Sequence, residues 1–364
     1  MRLALWLARR AHGQTSPNPM VGAVLVKRGE IIGRGWHNLA GEPHAEIEAL
    51  RDAEAKGHDP KGATLYVSLE PCCTHGRTPP CTEAIKAARV KNVVVAATDP
   101  NPAHSGRGFR ALKRAGIKVV SGVLANEAAR LNESFNHWIV RRTPFVMVKA
   151  AMSLDGKIAT MSGESKWITG EKARGYGMKL RKGSDAILVG INTVLADDPS
   201  LTVRGGEGAK ARVQEPKRRF ILDSRGRTPL DAKVVLDEVR EFTTVVVTRR
   251  APKARVKALS GRVSVWVAPE RQGEIDLRWL LKKMGAENIT SLLVEGGGEV
   301  NASFLLGGFA QRVVFFYAPK ILGGRNAPKA VGGKGIASLA EMIKLREVEW
   351  SRLGPDLLLT GRVA

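Results

Sequence analysis

Short apolar runs of β type alternate with helical stretches along this chain, and the alternation breaks off and starts again at one place. That pattern constrains the fold more than any other feature. A strand buried on a sheet face needs a covering layer, and strand–helix alternation supplies it as α/β layers. In the first part, Pro19 to Val26 and Glu30 to His37 read as two strands joined by a Lys-Arg-Gly turn. A helix starts near Pro43 and stops at Gly57. Ala63 to Leu69 is a strand, followed by a Pro-rich loop and a short helix from Cys81 to Ala88; Asn92 to Thr98 and Ile117 to Val123 are strands with a helix between them. At Arg141-Arg142-Thr143-Pro144 the proline interrupts a helix, and a new strand begins at Phe145. The boundary is therefore set between residues 1–142 and 143–364, and 364 residues exceed what one core usually serves. The second part has strands near Ala186, Arg218, Thr243, Ser264, Ser291 and Arg312, with helical segments between several of them. No internal repeat is visible, and the polar Gly- and Lys-rich stretch from Gly205 to Pro216 reads as a surface loop.

Composition removes several function classes. Three cysteines, an odd number in a chain of this length, cannot form a fully paired disulfide framework, so a reducing cytoplasm is the simplest setting. The N-terminal apolar run, Leu3 to Ala8, is cut short by Arg9 and Arg10, too early for a signal peptide, and fits an amphipathic helix. No apolar run approaches the roughly 18 residues of a membrane span, so no membrane partner is expected. The net charge of +23 invites a nucleic-acid reading, but Lys and Arg are scattered and only three Tyr join seven Trp and nine Phe for stacking on bases. Phosphorylated small substrates account for the charge equally well.

The three cysteines need a local explanation, and His44-Ala45-Glu46 at a helix start, Pro71-Cys72, and Cys81 at the next helix provide one. One His, two Cys and a carboxylate that is not a ligand, in that order, are the zinc deaminase set. Two thiolates and an imidazole hold Zn²⁺ and leave a position for water, whose pKa the metal lowers. Glu46, two residues along the helix from His44, is near enough to take that water's proton and return it to a departing amine. Taken singly, each residue has an ordinary reading: a core or surface His, a small buried Cys, a Glu favoured by the helix dipole. Cys73 competes with Cys72 as ligand; Cys72 is preferred because the ligand in the general signature directly follows Pro.

The general signature ends P-C-x-x-C, whereas eight residues, Cys73 to Pro80, separate Cys72 from Cys81 here. With Ser16 to Val26 (SPNPMVGAVLV), HAE at His44, and Leu69 to Cys81 (LEPCCTHGRTPPC), this spacing resembles the deaminase half of the bifunctional riboflavin biosynthesis deaminase/reductases. The second part carries motifs similar to the reductase half: Lys149 to Ala159, Ser162 to Thr169, Ile191 to Arg204, Leu222 to Arg227 and Val294 to Gly298. The resemblance implies an N-terminal cytidine-deaminase-like α/β/α domain followed by a dihydrofolate-reductase-like α/β domain. It implies one zinc per chain, hydrolytic deamination of a diaminopyrimidinone ribosylamino 5′-phosphate, and then NADPH-dependent reduction of the ribosyl to a ribityl group. By position it places deaminase substrate contacts at Asn18, His37, Cys73, Thr74 and Arg77, although many relatives have His where Thr74 stands. NADPH contacts are implied at Ala151, Trp167, Thr193, Asp197, Ser224, Gly297 and Gly298, and reductase substrate contacts at Ser165, Arg181, Leu201, Arg204 and Glu295. Phosphorylated pyrimidines are the implied partners, with no nucleic acid, and a homo-oligomer is the expected assembly.

Ordinary readings stand beside these. Asn18, between two prolines, suits a rigid turn; Arg77 suits a solvated loop; Trp167 suits a core; Asp197 suits an Asx cap; and three glycines after a strand suit a tight turn. No G-x-G-x-x-G follows a strand in the second part, so a Rossmann dinucleotide site has little support. Arg181 and Arg204 are suited to clamp a ribose phosphate. Two other functions remain in view. A nucleic-acid-editing zinc deaminase with a basic accessory domain is disfavoured by the Cys72 to Cys81 gap, and a zinc-stabilised binding module by Glu46, which a structural site does not need.

Overall fold

The computed structural model describes residues 1–75, 79–203 and 216–364, and the chain divides into two compact units, Met1–Arg142 and Thr143–Ala364. Arg77, Arg204 and nearly all of the Gly205 to Pro216 stretch lie outside the described residues.

The first unit runs α1 (Arg2–Arg9), β1 (Gly22–Lys27), β2 (Glu30–Trp36), α2 (Ala45–Ala55), β3 (Thr64–Leu69) and α3 (Cys81–Ala87). It continues through β4 (Asn92–Ala97), α4 (Arg107–Arg114), β5 (Lys118–Ser121), α5 (Ala125–Leu131) and α6 (Glu133–Arg141). Its sheet has the order β2-β1-β3-β4-β5, antiparallel on the β2 side and parallel from β3 to β5. The two faces bury different helices. Ala23, Leu25 and Val67 pack with Ala45, Ala49 and Ala53 of α2, while Val24 packs with Ala4 and Leu7 of α1. Alternate strand residues point to opposite faces, so α1 and α2 cover opposite sides of the sheet. Glycines set how closely those helices approach. A Cβ on Gly35 would lie 2.3 Å from the Ala49 nitrogen and 2.4 Å from the Ala45 oxygen, and one on Gly22 would lie 2.0 Å from the Ala4 oxygen. Strand β1 starts three residues later than the apolar pattern suggests, because Asn18 N–H closes a turn onto the Thr15 oxygen at 2.7 Å.

The second unit begins β6 (Phe145–Ser153), α7 (Glu171–Gly183), β7 (Ala186–Gly190), α8 (Ile191–Asp197), β8 (Arg218–Leu222), α9 (Lys233–Leu236), β9 (Thr243–Val247) and α10 (Lys253–Ser260). It ends β10 (Ser264–Val267), β11 (Glu270–Arg271), β12 (Glu274–Ile275), α11 (Leu277–Ala286), β13 (Ser291–Val294), α12 (Gly298–Leu306), β14 (Arg312–Ala318), β15 (Leu345–Leu353) and β16 (Asp356–Val363). The main sheet has the order β10-β9-β8-β7-β13-β6-β14-β16-β15; the seven strands from β10 to β14 are parallel, and β16 and β15 add antiparallel. Strands β7, β9 and β13 are buried throughout, as a parallel sheet with covered faces requires. Loops at the carboxyl ends of such strands form the ligand-binding edge of open α/β sheets. The residues singled out from the sequence at Thr193, Ser224, Glu295, Gly297 and Gly298 all follow the ends of β7, β8 and β13.

Candidate active sites

In the first unit, His44 is the N-cap of α2, Cys72 follows β3 after Glu70-Pro71, and Cys81 opens α3. The ligand atoms of these three lie within 4.8 Å of one another, and His44 Nδ1 is 3.3 Å from Cys81 Sγ and 3.5 Å from Cys72 Sγ. Around a tetrahedral zinc, with bonds of about 2.0 and 2.3 Å, imidazole nitrogen and thiolate sulfur stand about 3.5 Å apart. The donor set and its spacing therefore fit the metal, and Cys72, not Cys73, belongs to the trio.

The hydrogen bond with Cys81, aided by His44, holds the Cys72 thiol down to about 4, while the same bond and burial push Cys81 upward. His44, Cys72 and Cys81 would hold a dication in place of that shared proton. Glu46, in the first turn of α2, is buried; loss of solvent raises its carboxyl to about 7, with the Cys72 charge adding to the rise and His44 opposing it. A buried carboxyl with a pKa near neutrality is suited to both accepting and delivering a proton.

His37 is also buried, and its ring meets that of His44 edge-on with centroids 5.3 Å apart. Its Nδ1 lies 3.1 Å from the Pro43 oxygen, which only accepts, so Nδ1 carries the proton and Nε2 accepts from Asn18 Nδ2 at 3.1 Å. Burial lowers the His37 pKa, in keeping with this neutral pairing. The turn at Asn18 and a part in the site are thus compatible. Thr74 is exposed, with its hydroxyl 3.4 Å from His104 Nδ1, and Cys73 is half-buried.

Glu70, which the sequence reading passed over, anchors the metal loop. Its carboxylate accepts from the backbone N–H groups of Asp99 (3.2 Å), Gly106 (3.0 Å), Gly108 (2.9 Å) and Phe109 (3.4 Å), and a Cβ on Gly108 would lie 2.3 Å from the Pro71 oxygen. Nothing in a lone Glu before Pro-Cys signals four distant amides. Metal analysis of single variants tests the assignment: Cys72→Ser and Cys81→Ser are expected to lose zinc, and Cys73→Ser to keep one per chain. Zinc kept by Cys72→Ser and lost by Cys73→Ser would reverse it.

In the second unit, Arg181 on α7 donates from Nε (3.0 Å) and Nη2 (2.7 Å) to both oxygens of Glu295, and from Nη1 to the Thr202 oxygen at 3.0 Å. Three of its five N–H groups are thus engaged. The guanidinium is thus paired with Glu295 and also braces the chain at Thr202. Burial by itself would raise the Glu295 carboxyl, but Lys149 and Arg181 more than offset it and hold it at about 2. Lys149, inside a motif already singled out but given no role there, is the residue this field reveals. Leu201 has φ +51° and a buried side chain packed in the β7–β8 core.

Ser165 Oγ donates to Asp197 Oδ1 at 2.7 Å, joining two of the positions expected at the site. Trp167 is 63 % exposed, with Arg174 stacked on it at 4.8 Å, so it is no core residue. A Cβ on Gly298 would lie 2.2 Å from the Lys329 oxygen, so that glycine admits the 329–332 strap over the start of α12. Gly297 has open space beside it, with Thr193 Oγ1 as its nearest neighbour, which lets a ligand approach the backbone. Ala151 lies on β6, half-buried. Asp155 ties the turn after β6 to the chain beyond β14, accepting from Ser153 Oγ (2.6 Å), Leu322 N–H (3.1 Å) and Gly323 N–H (2.8 Å).

Residues 1–97 match the cytidine and deoxycytidylate deaminase zinc-binding region, and residues 144–359 match the RibD C-terminal domain. Fold and sites together define a zinc deaminase joined to a reductase of the NADPH-dependent kind on one chain. The chain is 45 % identical to the riboflavin biosynthesis protein RibD of Aquifex aeolicus, over 99 % of this chain and 96 % of that one. It is 40 % identical to RibD of Escherichia coli over 99 % and 97 %. It superposes on Acinetobacter baumannii RibD with a TM-score of 0.88, 38 % identity and coverage of 100 % and 97 %. The Thermotoga maritima diaminohydroxyphosphoribosylaminopyrimidine deaminase/5-amino-6-(5-phosphoribosylamino)uracil reductase gives 0.84, 37 %, and the same coverage. The chain belongs to the RibD family of riboflavin biosynthesis enzymes. The fold class expected from the sequence is the one found, and small phosphorylated pyrimidines fit such an enzyme.

Proposed function

We propose that residues 1–142 deaminate 2,5-diamino-6-ribosylamino-4(3H)-pyrimidinone 5′-phosphate at its 2-amino group, and that residues 143–364 reduce the deaminated product with NADPH. The observation that carries this is the convergence of His44, Cys72 and Cys81 on one point with Glu46 buried beside them. Bound zinc supplies an acidified water. Glu46 takes a proton from that water as its oxygen bonds to C2 and delivers one to the amine as the C2–N bond breaks; Asn18 and the neutral His37, already paired, orient the pyrimidine edge; Cys73, Thr74 and Arg77 are the remaining substrate contacts, Arg77 being assigned to the phosphate. In the second unit NADPH, when bound, would supply a hydride to ribose C1′ as the C1′–O4′ ring bond opens and O4′ gains a proton. Ala151, Trp167, Thr193, Asp197, Ser224, Gly297 and Gly298 are the cofactor contacts, with Thr193, Ser224, Gly297 and Gly298 just past strand ends. Ser165, Glu295 and the Leu201 backbone face the sugar, Arg204 takes its phosphate, and Arg181 fixes Glu295 as an ionised acceptor.

The same reading has phosphorylated pyrimidines and not nucleic acid as partners, in a cytoplasmic setting; no helix among the described residues is long and apolar enough to cross a membrane. It also has the chain self-associating, and β15, a sheet edge whose residues 346–352 are all exposed, is the surface that a second copy would cover. Incubating the purified chain with the diaminopyrimidinone phosphate and NADPH tests the reading: ammonia release and NADPH oxidation are expected together, in equal amounts. Ammonia released without NADPH oxidation would remove the reductase half of the proposal, and neither signal would remove both.

A further inference from the structure

Asn132 links α5 to α6, and its backbone is used in both: its N–H donates to the Ala128 oxygen at 3.3 Å, and its oxygen accepts from Asn136 N–H at 2.8 Å. The junction is seated by an apolar cluster of Leu5, Ala96 and Ala128, with Leu131 packed against it. The side chain is 5 % exposed and reaches back 112 positions to Met20, whose N–H donates to Oδ1 at 2.8 Å and whose oxygen accepts from Nδ2 at 2.9 Å. An N–H only donates and a carbonyl only accepts, so the orientation of the amide is set. Met20 precedes β1 and its ladder, and the Asn132 amide stands in for the neighbouring strand that its backbone lacks.

The segment pinned in this way carries Asn18. Only Pro19 separates Met20 from Asn18, and a proline has a fixed φ and restricts the residue before it. On the other side, Asn18 N–H closes its turn onto the oxygen of the buried Thr15 at 2.7 Å, across Pro17. A segment this stiff passes a displacement at Met20 on to Asn18 instead of absorbing it. From Asn18 the path enters the site: its Nδ2 donates to His37 Nε2 at 3.1 Å, and His37 Nδ1 donates to the oxygen of Pro43, next to His44, at 3.1 Å.

The chain beyond Met20 is anchored without Asn132. His37 N–H donates to the Val21 oxygen at 2.9 Å, Gly22 N–H donates to Oγ of the buried Ser68 at 3.0 Å, and β1 is laddered to β2 on one side and β3 on the other. Removing the Asn132 amide therefore leaves the sheet in register. It frees the chain only before Val21, where Asn18 stands.

We infer that Asn132 is a positioning residue of the deaminase site: its amide holds the backbone at Met20 so that Asn18 meets both His37 and the pyrimidine edge of the substrate. This rests on the deaminase reading above. The test is a double-mutant cycle on the zinc-loaded full chain, with kcat/KM for ammonia release from the diaminopyrimidinone phosphate measured for Asn132→Ala, Asn18→Ala and the two combined. A hydrogen bond lost between neutral groups corresponds to up to about tenfold, so each single variant is expected to lower kcat/KM about tenfold. Because Asn132 acts through Asn18, the double variant should lie less than roughly twofold below Asn18→Ala. Zinc should stay at one per chain, and reduction of the deaminated substrate should stay at the wild-type rate. The NMR resonance of the His37 Nε2 nitrogen should move toward that of an unbonded imidazole nitrogen in both single variants. Ser68→Ala, which removes a buried hydrogen bond from the same strand, should leave kcat/KM and the His37 resonance near wild type, and so separates position from stability. Where Asn132→Ala does not fold, Asn132→Asp carries the same cycle, since it keeps the size and the acceptor and leaves the Met20 oxygen without its donor. Single variants near the wild-type kcat/KM, additive losses, an unmoved His37 resonance, or an equal fall in Ser68→Ala would overturn the inference while leaving the deaminase standing. Wild-type protein releasing no ammonia would overturn the deaminase reading, and the inference with it.

Discussion

Glu46→Gln is expected to abolish measurable deamination while leaving zinc in place and the reductase active. The exchange keeps the side chain's size and removes only the group that accepts and delivers protons. A positioned general acid/base contributes about 10² to 10⁴ in rate, and a residue serving both transfers lies at or beyond the upper end. Glu46 is buried and is not part of the metal trio, so zinc content should stay at one per chain. The variant's second unit shares no residue with the site and should oxidise NADPH at the wild-type rate when given the deaminated substrate. Given the first substrate, the variant should yield neither ammonia nor the ribityl product. Deamination near the wild-type rate would remove Glu46 from the mechanism; loss of reduction as well would show that the two activities are not separable.

Removing one partner of the Arg181–Glu295 pair is the other large effect expected. The side chains are only 13 % and 8 % exposed, and removing one partner of a buried pair costs about 3 to 5 kcal/mol; Lys149 still faces Glu295 when Arg181 is replaced, which places the loss toward the lower end of that range. Arg181→Met should therefore lower the denaturant midpoint of the second unit strongly. Arg181→Met combined with Glu295→Gln should recover much of that loss, because no carboxylate is then stranded, although the double variant loses reduction. The pair also has a signature in acid. Glu295 sits at about 2 in the folded chain against an ordinary value of 4.5, so its folded pKa is depressed. Its contribution is complete above about pH 4.5 and drains away as the pH falls toward 2, amounting to about 3 kcal/mol at ~1.4 kcal/mol per pH unit of displacement. The Glu295→Gln variant should show that much less loss of stability between pH 4.5 and 2. If its acid unfolding parallels that of the wild type, the carboxylate is not held as described.

Much of this protein was legible in order along the chain. His44, Glu46, Cys72 and Cys81 identify their chemistry because a metal constrains residue type as well as position, and few other reasons bring one imidazole, two thiols and a carboxylate together in that sequence. Strand positions were legible where burial on one or both faces writes a pattern: β3, β4, β7, β9 and β13 are apolar runs because both sides of those strands are covered. The hairpin of β15 and β16 was not, since a strand such as Leu345–Leu353, exposed over nearly its whole length, records no face in its residues.

What only the tertiary structure decided is how distant polar groups are matched. Arg181 and Glu295 are 114 positions apart, and a sequence cannot say whether a guanidinium is free for a phosphate or already neutralised. Glu70 gathers amides from positions 29 to 39 residues later, Asp155 holds the chain at Leu322 and Gly323, and Ser224 meets Thr248, none of which carries any local periodicity. Local sequence fixes which elements form, through periodic burial and through the residue types that chemistry demands. Partner choice among buried charges and backbone amides is fixed only when the sheets close, because desolvation then penalises every group left unpaired.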